Sequence, residues 1–319
     1  MKNLSAGNPS KIIWFLDKVS CILFGVLLVL VGLEFFLRLL GFGYNVIHKA
    51  PVDTGAEYRI YCVGESTTWG IGASDPVLKG YPRQLQDMLN EKYKGVKIQC
   101  LFDQTIGQNT SEILAKLPLH IKKYRPQLVI FLVGVNNWWN MDRSNILLFN
   151  KNPWVSQLTL KALIFLDKFR VWKLFKNMAF PLRPSQERWD YFNARAGRTP
   201  EGGEEQKWNK APIFDELAEH DIDEMIKICK AYGIKMIMCT YPVAARDLQR
   251  VQINAAKKYG LFLVDHHAVF QKLKDQKAYL STEDHWHPND AGYAIVAKNI
   301  YNCILENRLI EPKERKGPR

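Results

Sequence analysis

Residues 59–70, Arg59-Ile60-Tyr61-Cys62-Val63-Gly64-Glu65-Ser66-Thr67-Thr68-Trp69-Gly70, set a serine directly after a short apolar run. Arg59 to Val63 reads as a strand, and the flanking glycines allow the tight backbone a strand end needs. A serine there can project into the crevice that the strand's carboxyl end borders. Alone, the stretch reads equally as a Ser-Thr-Thr turn capping a helix. It is not the G-x-S-x-G turn, because position 68 is threonine.

Outward from this point, strand-like and helix-like stretches alternate. Residues 81–93 put Leu85, Met88 and Leu89 on one helical face; 96–102 read as a second strand and 111–124 as a helix. Residues 127–133 form a nearly continuous apolar run, expected of a strand buried on both faces. After a long irregular insert, 214–232 read as helix, 234–240 as strand, 248–259 as helix and 261–265 as strand. A terminal helix follows over about 291–306. This alternation predicts an α/β domain with a parallel sheet covered on both faces, spanning 58–309 with 138–212 as its insert. A tether is expected at 44–57 and a charged, frayed tail at 310–319. In such sheets ligands bind beyond the carboxyl ends of the strands, so functional residues should fall just after strands.

Before the domain, residues 19–33 hold nothing more polar than Ser20, and the apolar run continues around Glu34 and Arg38 to Leu40. From about Ile12 it is long enough to cross a bilayer. No small-x-small cleavage site follows, which argues against a signal peptide; a buried core helix is the alternative reading. Lys2, Lys11 and Lys18 precede the span and Arg38, Lys49 and Arg59 follow it. The expectation is a single uncleaved transmembrane helix within 1–43, in the inner membrane, with a cytoplasmic N-terminal tip and the bulk of the chain outside the cytoplasm.

The 319 residues are 47% hydrophobic and 24% charged, enough apolar material for a core. Forty-four basic against 32 acidic residues give +12, which suits anionic headgroups or acidic glycans. No Arg-rich tail, zinc-finger spacing or aromatic RNA-binding signature points to nucleic acid. The six cysteines form no CxxC pair. Cys62, Cys100 and Cys239 lie in strand-like runs and read as small buried hydrophobes, an unusual choice for an oxidising compartment.

Three further clusters fall after strands or in the loop before the last helix. In Asp284-His285-Trp286-His287-Pro288-Asn289, the carboxylate and His287 are three apart, so one turn of chain can bring them together. An acyl-transfer serine needs such a base, and the base needs a carboxylate to fix its tautomer. His285 is the rival base, but it adjoins Asp284 and should point elsewhere. Gly107-Gln108-Asn109 and Gly134-Val135-Asn136-Asn137 offer a backbone N–H and an amide of the kind that stabilises an oxyanion.

Together the four clusters resemble the four sequence blocks of the SGNH/GDSL hydrolase family, in order and spacing, over nearly everything from Arg59 to Ile304. The Gly-Glu-Ser-Thr-Thr wording, with Glu34 and Arg38 ending an apolar anchor, is similar to a membrane-anchored bacterial branch. The resemblance implies a flavodoxin-like three-layer α/β/α sandwich that hydrolyses or transfers acyl esters with no metal or organic cofactor. It implies Ser66 as nucleophile, His287 as base and Asp284 as its orienting carboxylate. The N–H groups of Ser66 and Gly107 and the amide of Asn136 would hold the oxyanion. Two positions depart from the family pattern, Glu65 and Asn137, where aspartate is usual.

The insert carries Trp138, Trp139, Trp154, Trp172, Trp189 and Trp208. Leu158, Ala162, Phe165, Phe169, Trp172 and Phe175 recur in it at helical spacing among lysines and arginines. That stretch reads as a helix packed on the domain, or as a lid or membrane-surface helix. Trp69, Trp138 and Trp139 are the candidates for substrate contact. The expected substrate is an acylated, often O-acetylated, extracytoplasmic glycan or lipid. The alternatives are a silent scaffold in envelope polysaccharide assembly, or a metal-dependent hydrolase using His266, His267, His285 and His287.

Overall fold

The structure is a computed structural model that describes residues 9–47, 55–137, 140, 143–148, 158, 162, 165–166, 168–179, 212–243 and 246–311. Strands β1 (Tyr58–Gly64), β2 (Ile98–Phe102), β3 (Leu128–Leu132), β4 (Lys235–Cys239) and β5 (Phe262–Val264) pair in parallel, in the order β2-β1-β3-β4-β5. This is the doubly wound, flavodoxin-like order. Every residue of β3 is buried, which is why its sequence is an unbroken apolar run rather than an alternating one.

Helix α1 (Pro9–Ile47) precedes the sheet, and short helices α2 (Ser66–Trp69) and α3 (Pro76–Lys79) follow β1. Then come α4 (Tyr81–Lys92), α5 (Thr110–Tyr124), α6 (Arg170–Ala179), α7 (Pro212–Ala231), α8 (Arg246–Tyr259), α9 (His266–Gln271) and α10 (Asp290–Glu306). Helices α4 and α10 pack together as one layer, while α5 and α8 both pack on α7 as the other. The sheet lies between them, with Ile60, Leu128, Ile130 and Ile237 wholly buried. Long strand-derived side chains filling that space account for the choice of β-branched and large aliphatic residues in the strands. Five of the six cysteines are buried and all are unpaired, so they pack as small hydrophobes; Cys21, on α1, is exposed.

Two expectations are corrected. Helix α1 continues to Ile47, into the stretch expected as tether, because Gly41 and Gly43 lower helix propensity by only about 1 kcal/mol each and do not force a stop. The periodic stretch around Phe165–Phe175 is not one helix. The chain turns at Lys168 and Phe169, whose N–H groups donate to Phe165 O and Leu166 O, and a new helix begins at Arg170. Within α1, Asp17–Phe42 is long and apolar enough to cross a membrane, and none of it is buried in the protein.

Candidate active site

Ser66 opens α2 immediately beyond β1 and is half-buried. Because β1 lies between β2 and β3, the loops that follow these three strands converge at one edge, which gathers Ser66, Gly107 and Asn136 at the carboxyl end of the sheet. From the far end of the chain, the loop before α10 brings in the imidazole. His287 Nε2 lies 2.8 Å from Ser66 Oγ, and His287 Nδ1 lies 2.5 Å from Asp284 Oδ2. His287, not His285, is therefore the histidine that meets the serine.

The Asp284 carboxylate is built to stay ionised. Burial alone would raise its pKa, but the hydrogen bond and charge of His287, with the N–H groups of Trp286 and His287 at 2.9 and 3.0 Å, hold it below the usual carboxylate range. An ionised Asp284 can only accept, so Nδ1 of His287 carries the proton and Nε2 presents its lone pair to the Ser66 hydroxyl. His285 takes a left-handed conformation (φ 52°), a turn that lets the chain bring both of those N–H groups back to Asp284.

The loop is pinned on both sides. Ser281 N–H donates to His287 O at 2.7 Å, and Asn289 caps α10 by accepting from Gly292 N–H at 3.0 Å. Asp290 accepts from the N–H and hydroxyl of Ser74, at 2.8 and 2.6 Å, which ties it to the segment just past Ser66. Gly72, in that segment, has φ +94°, and a Cβ there would stand 2.8 Å from His287 Cβ. Only glycine lets the chain pass so close to the imidazole.

The loops after β2 and β3 are locked to each other. Asn136 Nδ2 donates to Gln108 O at 3.1 Å, and Asn140 Nδ2 donates to Gly107 O at 2.5 Å. Asn109 forms a capping box with Glu112 at the start of α5. Asn137 accepts from Thr110 N–H and donates to Thr110 Oγ1, both at 2.9 Å, and Thr110 Oγ1 in turn donates to Asp221 Oδ2 at 2.7 Å. This explains Asn137. Thr110 has one hydroxyl hydrogen, which fully buried Asp221 receives; an aspartate at this position would compete for it and leave a buried oxygen unpaired.

Glu65 is also fully buried. Its Oε1 accepts from Gly134 N–H at 2.9 Å, and its Oε2 lies 2.5 Å from Tyr241 Oη, which is itself 3.0 Å from Leu132 O. A phenol has one hydrogen, and Leu132 O can only accept. An ionised Glu65 accepts that hydrogen from Tyr241, whereas a protonated Glu65 donates to Tyr241, which then donates to Leu132 O. Burial pushes the Glu65 pKa up to about 7, against the opposing pull of the Tyr241 and Gly134 hydrogen bonds, so both forms are accessible near neutral pH.

Sequence reasoning missed Asp221 and Tyr241. The first had a visible signal: an acid inside the apolar stripe of α7, between Leu217 and Ala218 on one side and Ile222, Met225 and Ile226 on the other. Tyr241, just beyond β4, had only its position at the functional edge. Of the tryptophans singled out, Trp69 sits in α2 and is 8% exposed, while Trp138 and Trp139 lie outside the described residues. His266 and His267 open α9 and are buried; Thr240 Oγ1 accepts from His267 N–H, and the His267 ring meets Pro242 O and Gln271. Among the described residues no three His, Cys, Asp or Glu side chains converge as a metal site needs.

A model of the GDSL-like lipase/acylhydrolase family matches residues 62–295. No curated protein sequence matches the chain. Among solved structures, a lipase/acylhydrolase from Enterococcus faecalis is similar, with a TM-score of 0.48 and 12% identity over 81% of this chain and 99% of its own. The esterase EstA from Pseudoalteromonas sp. has a TM-score of 0.45 and 12% identity, over 79% and 99% of the two chains. A family 3 carbohydrate esterase from Clostridium thermocellum has a TM-score of 0.46 and 14% identity, over 78% and 96%.

Proposed function

The chain belongs to the GDSL-like lipase/acylhydrolase family, and from that premise we propose that it cleaves or transfers acyl esters, O-acetyl esters foremost, on an extracytoplasmic glycan or lipid. The family carries the coarser statement, that of an ester-bond hydrolase. The Ser66–His287–Asp284 relay is the observation that carries the mechanism.

In this reading Ser66 Oγ attacks the ester carbonyl while His287 Nε2 takes its proton. The imidazolium that forms is stabilised by ionised Asp284. The carbonyl oxygen becomes an oxyanion, received by the N–H groups of Ser66 and Gly107 and by the second hydrogen of the Asn136 amide, whose first is held by Gln108 O. His287 then returns the proton to the leaving alkoxide. Water or an acceptor hydroxyl, deprotonated in turn by His287, takes the acyl group from Ser66. The +12 charge supports an anionic glycan or headgroup as the setting, and α1 supports attachment to a membrane.

The test is turnover of a short-chain aryl ester by the full chain in mild detergent. Ser66→Ala should abolish it with the fold intact, and Asn136→Ala should slow it by about 10²–10³-fold, the usual loss for one oxyanion donor. Wild-type turnover by Ser66→Ala would refute the serine mechanism.

A further inference from the structure

The anchor and the described end of the insert are joined by a set of polar contacts that catalysis does not use. Near the end of α1, Arg38 Nε donates to Glu34 Oε1 at 2.8 Å. The other oxygen, Glu34 Oε2, accepts from Val171 N–H at 2.9 Å, in the first turn of α6. Arg38 Nη2 donates to Lys168 O and Arg170 Nη1 to Leu37 O, at 2.9 and 2.8 Å. Gly41 makes room for this: a Cβ there would overlap the Arg170 guanidinium, 1.7 Å from Nη1.

The arrangement follows from helix electrostatics. The first N–H groups of a helix have no acceptor within the helix itself, and at the start of α6 Glu34 supplies an acceptor and a negative charge from another helix. A carboxylate in an apolar anchor is costly unless paired, and Arg38 at i+4 pairs it. Depth is set by length. The 26 residues of Asp17–Phe42 span about 39 Å at about 1.5 Å each, against a hydrocarbon core of about 30 Å. Glu34 stands about 26 Å along from Asp17, at the far edge of that core.

Exposed apolar surface is carried by both helices that the clamp joins. Phe36, Leu40 and Phe42 of α1 are each more than half exposed, and so are Phe175 and Met178 of α6; Phe169, in the turn before α6, is 38% exposed. Phe175 and Met178, at i and i+3, share one stripe of α6, while Lys173 projects from another face. An exposed apolar stripe on a helix tied at its start to a membrane-spanning segment, with a lysine set off from it, fits the headgroup boundary of a bilayer.

We propose that residues 168–179 form a membrane-interface element, clamped to the anchor by Glu34, Arg38 and Arg170, with Phe175 and Met178 among the lipid acyl chains and Lys173 at headgroup level. The proposal rests on α1 being a membrane anchor.

The test uses the full chain, with exposed Cys21 replaced by serine, in nanodiscs of phosphatidylcholine and phosphatidylglycerol. Nitroxide labels are placed at Phe175→Cys, Met178→Cys and, as control, Lys122→Cys on α5. Their relaxation by oxygen and by a water-soluble nickel chelate is compared. The oxygen-to-nickel ratio should be several-fold higher at 175 and 178 than at 122, and should fall to the control value in Glu34→Ala/Arg38→Ala/Arg170→Ala, which removes all three side chains of the clamp. Control-like ratios in a chain that stays with the discs would overturn the interface element and leave the anchor standing. High ratios unchanged by the triple substitution would overturn the clamp. A chain that elutes apart from the discs would overturn the anchor and this inference together.

Discussion

Glu65 and Asn137 are the two residues at which the chain departs from its family's wording, and both are held in buried hydrogen-bond networks. Below about pH 7 a protonated Glu65 can donate to Tyr241, whose single hydrogen then goes to Leu132 O. The folded pKa of Glu65, about 7, is raised above the ordinary 4.5, which fixes the sign of its linkage. Below pH 4.5 the group is protonated whether folded or unfolded. As pH climbs from 4.5 to 7 the unfolded chain ionises first, so this group removes stability over that window, by about 3 kcal/mol once pH exceeds 7. A glutamine side chain can make the same contacts without titrating. Glu65→Gln should therefore be more stable than wild type at pH 8 and similar at pH 4.5, measured by denaturant unfolding in mild detergent; an unchanged difference between the two pH values would contradict a raised Glu65 pKa. Asn137→Asp should cost about 1–3 kcal/mol by leaving a buried oxygen unpaired. Adding Asp221→Asn should recover part of that loss, and strictly additive costs would mean that the two sites do not share the Thr110 hydrogen.

At the scale of elements, the sheet was legible because β3 is apolar at every position and the other strands alternate with amphipathic helices. Strand and helix ends moved by a few residues, where capping rather than periodicity decides. The meeting of Ser66, Asp284 and His287 was legible because each falls just beyond a strand or before the last helix, at the end of the sheet where loops converge. Asp221 and Tyr241 were not, since their role depends on which buried atoms lack partners, and that appears only in three dimensions. The break before α6 was equally hidden. Periodicity continues through Lys168 and Phe169, and the turn is selected by contacts with α1 more than a hundred residues earlier. The loop after α2 offers a test of positioning. Gly72→Ala adds a methyl into contact with His287 at a left-handed position. It should leave the chain folded yet lower kcat/KM for an aryl ester by roughly 10²-fold, the scale of a 1 Å misplacement. Wild-type kcat/KM would show that the loop does not set the imidazole.

The whole molecule is a doubly wound esterase fold carried behind one long apolar helix, with a basic surplus of +12. From Lys2 and Lys11 before the span and Lys18 at its start, we propose a cytoplasmic N-terminus. Alkaline phosphatase fused after Arg319 should then be active in a bacterial host, whereas an inactive fusion paired with an active cytoplasmic reporter would reverse the topology. The central claim is that Ser66 is a nucleophile activated by His287. Its most direct measurement is labelling of the full chain with a fluorophosphonate, followed by peptide mass analysis. The account predicts one adduct, on Ser66, formed equally with or without chelator, absent in Ser66→Ala and strongly slowed in His287→Ala. An adduct on another residue, none at all, or labelling of Ser66 at the wild-type rate without His287 would contradict it.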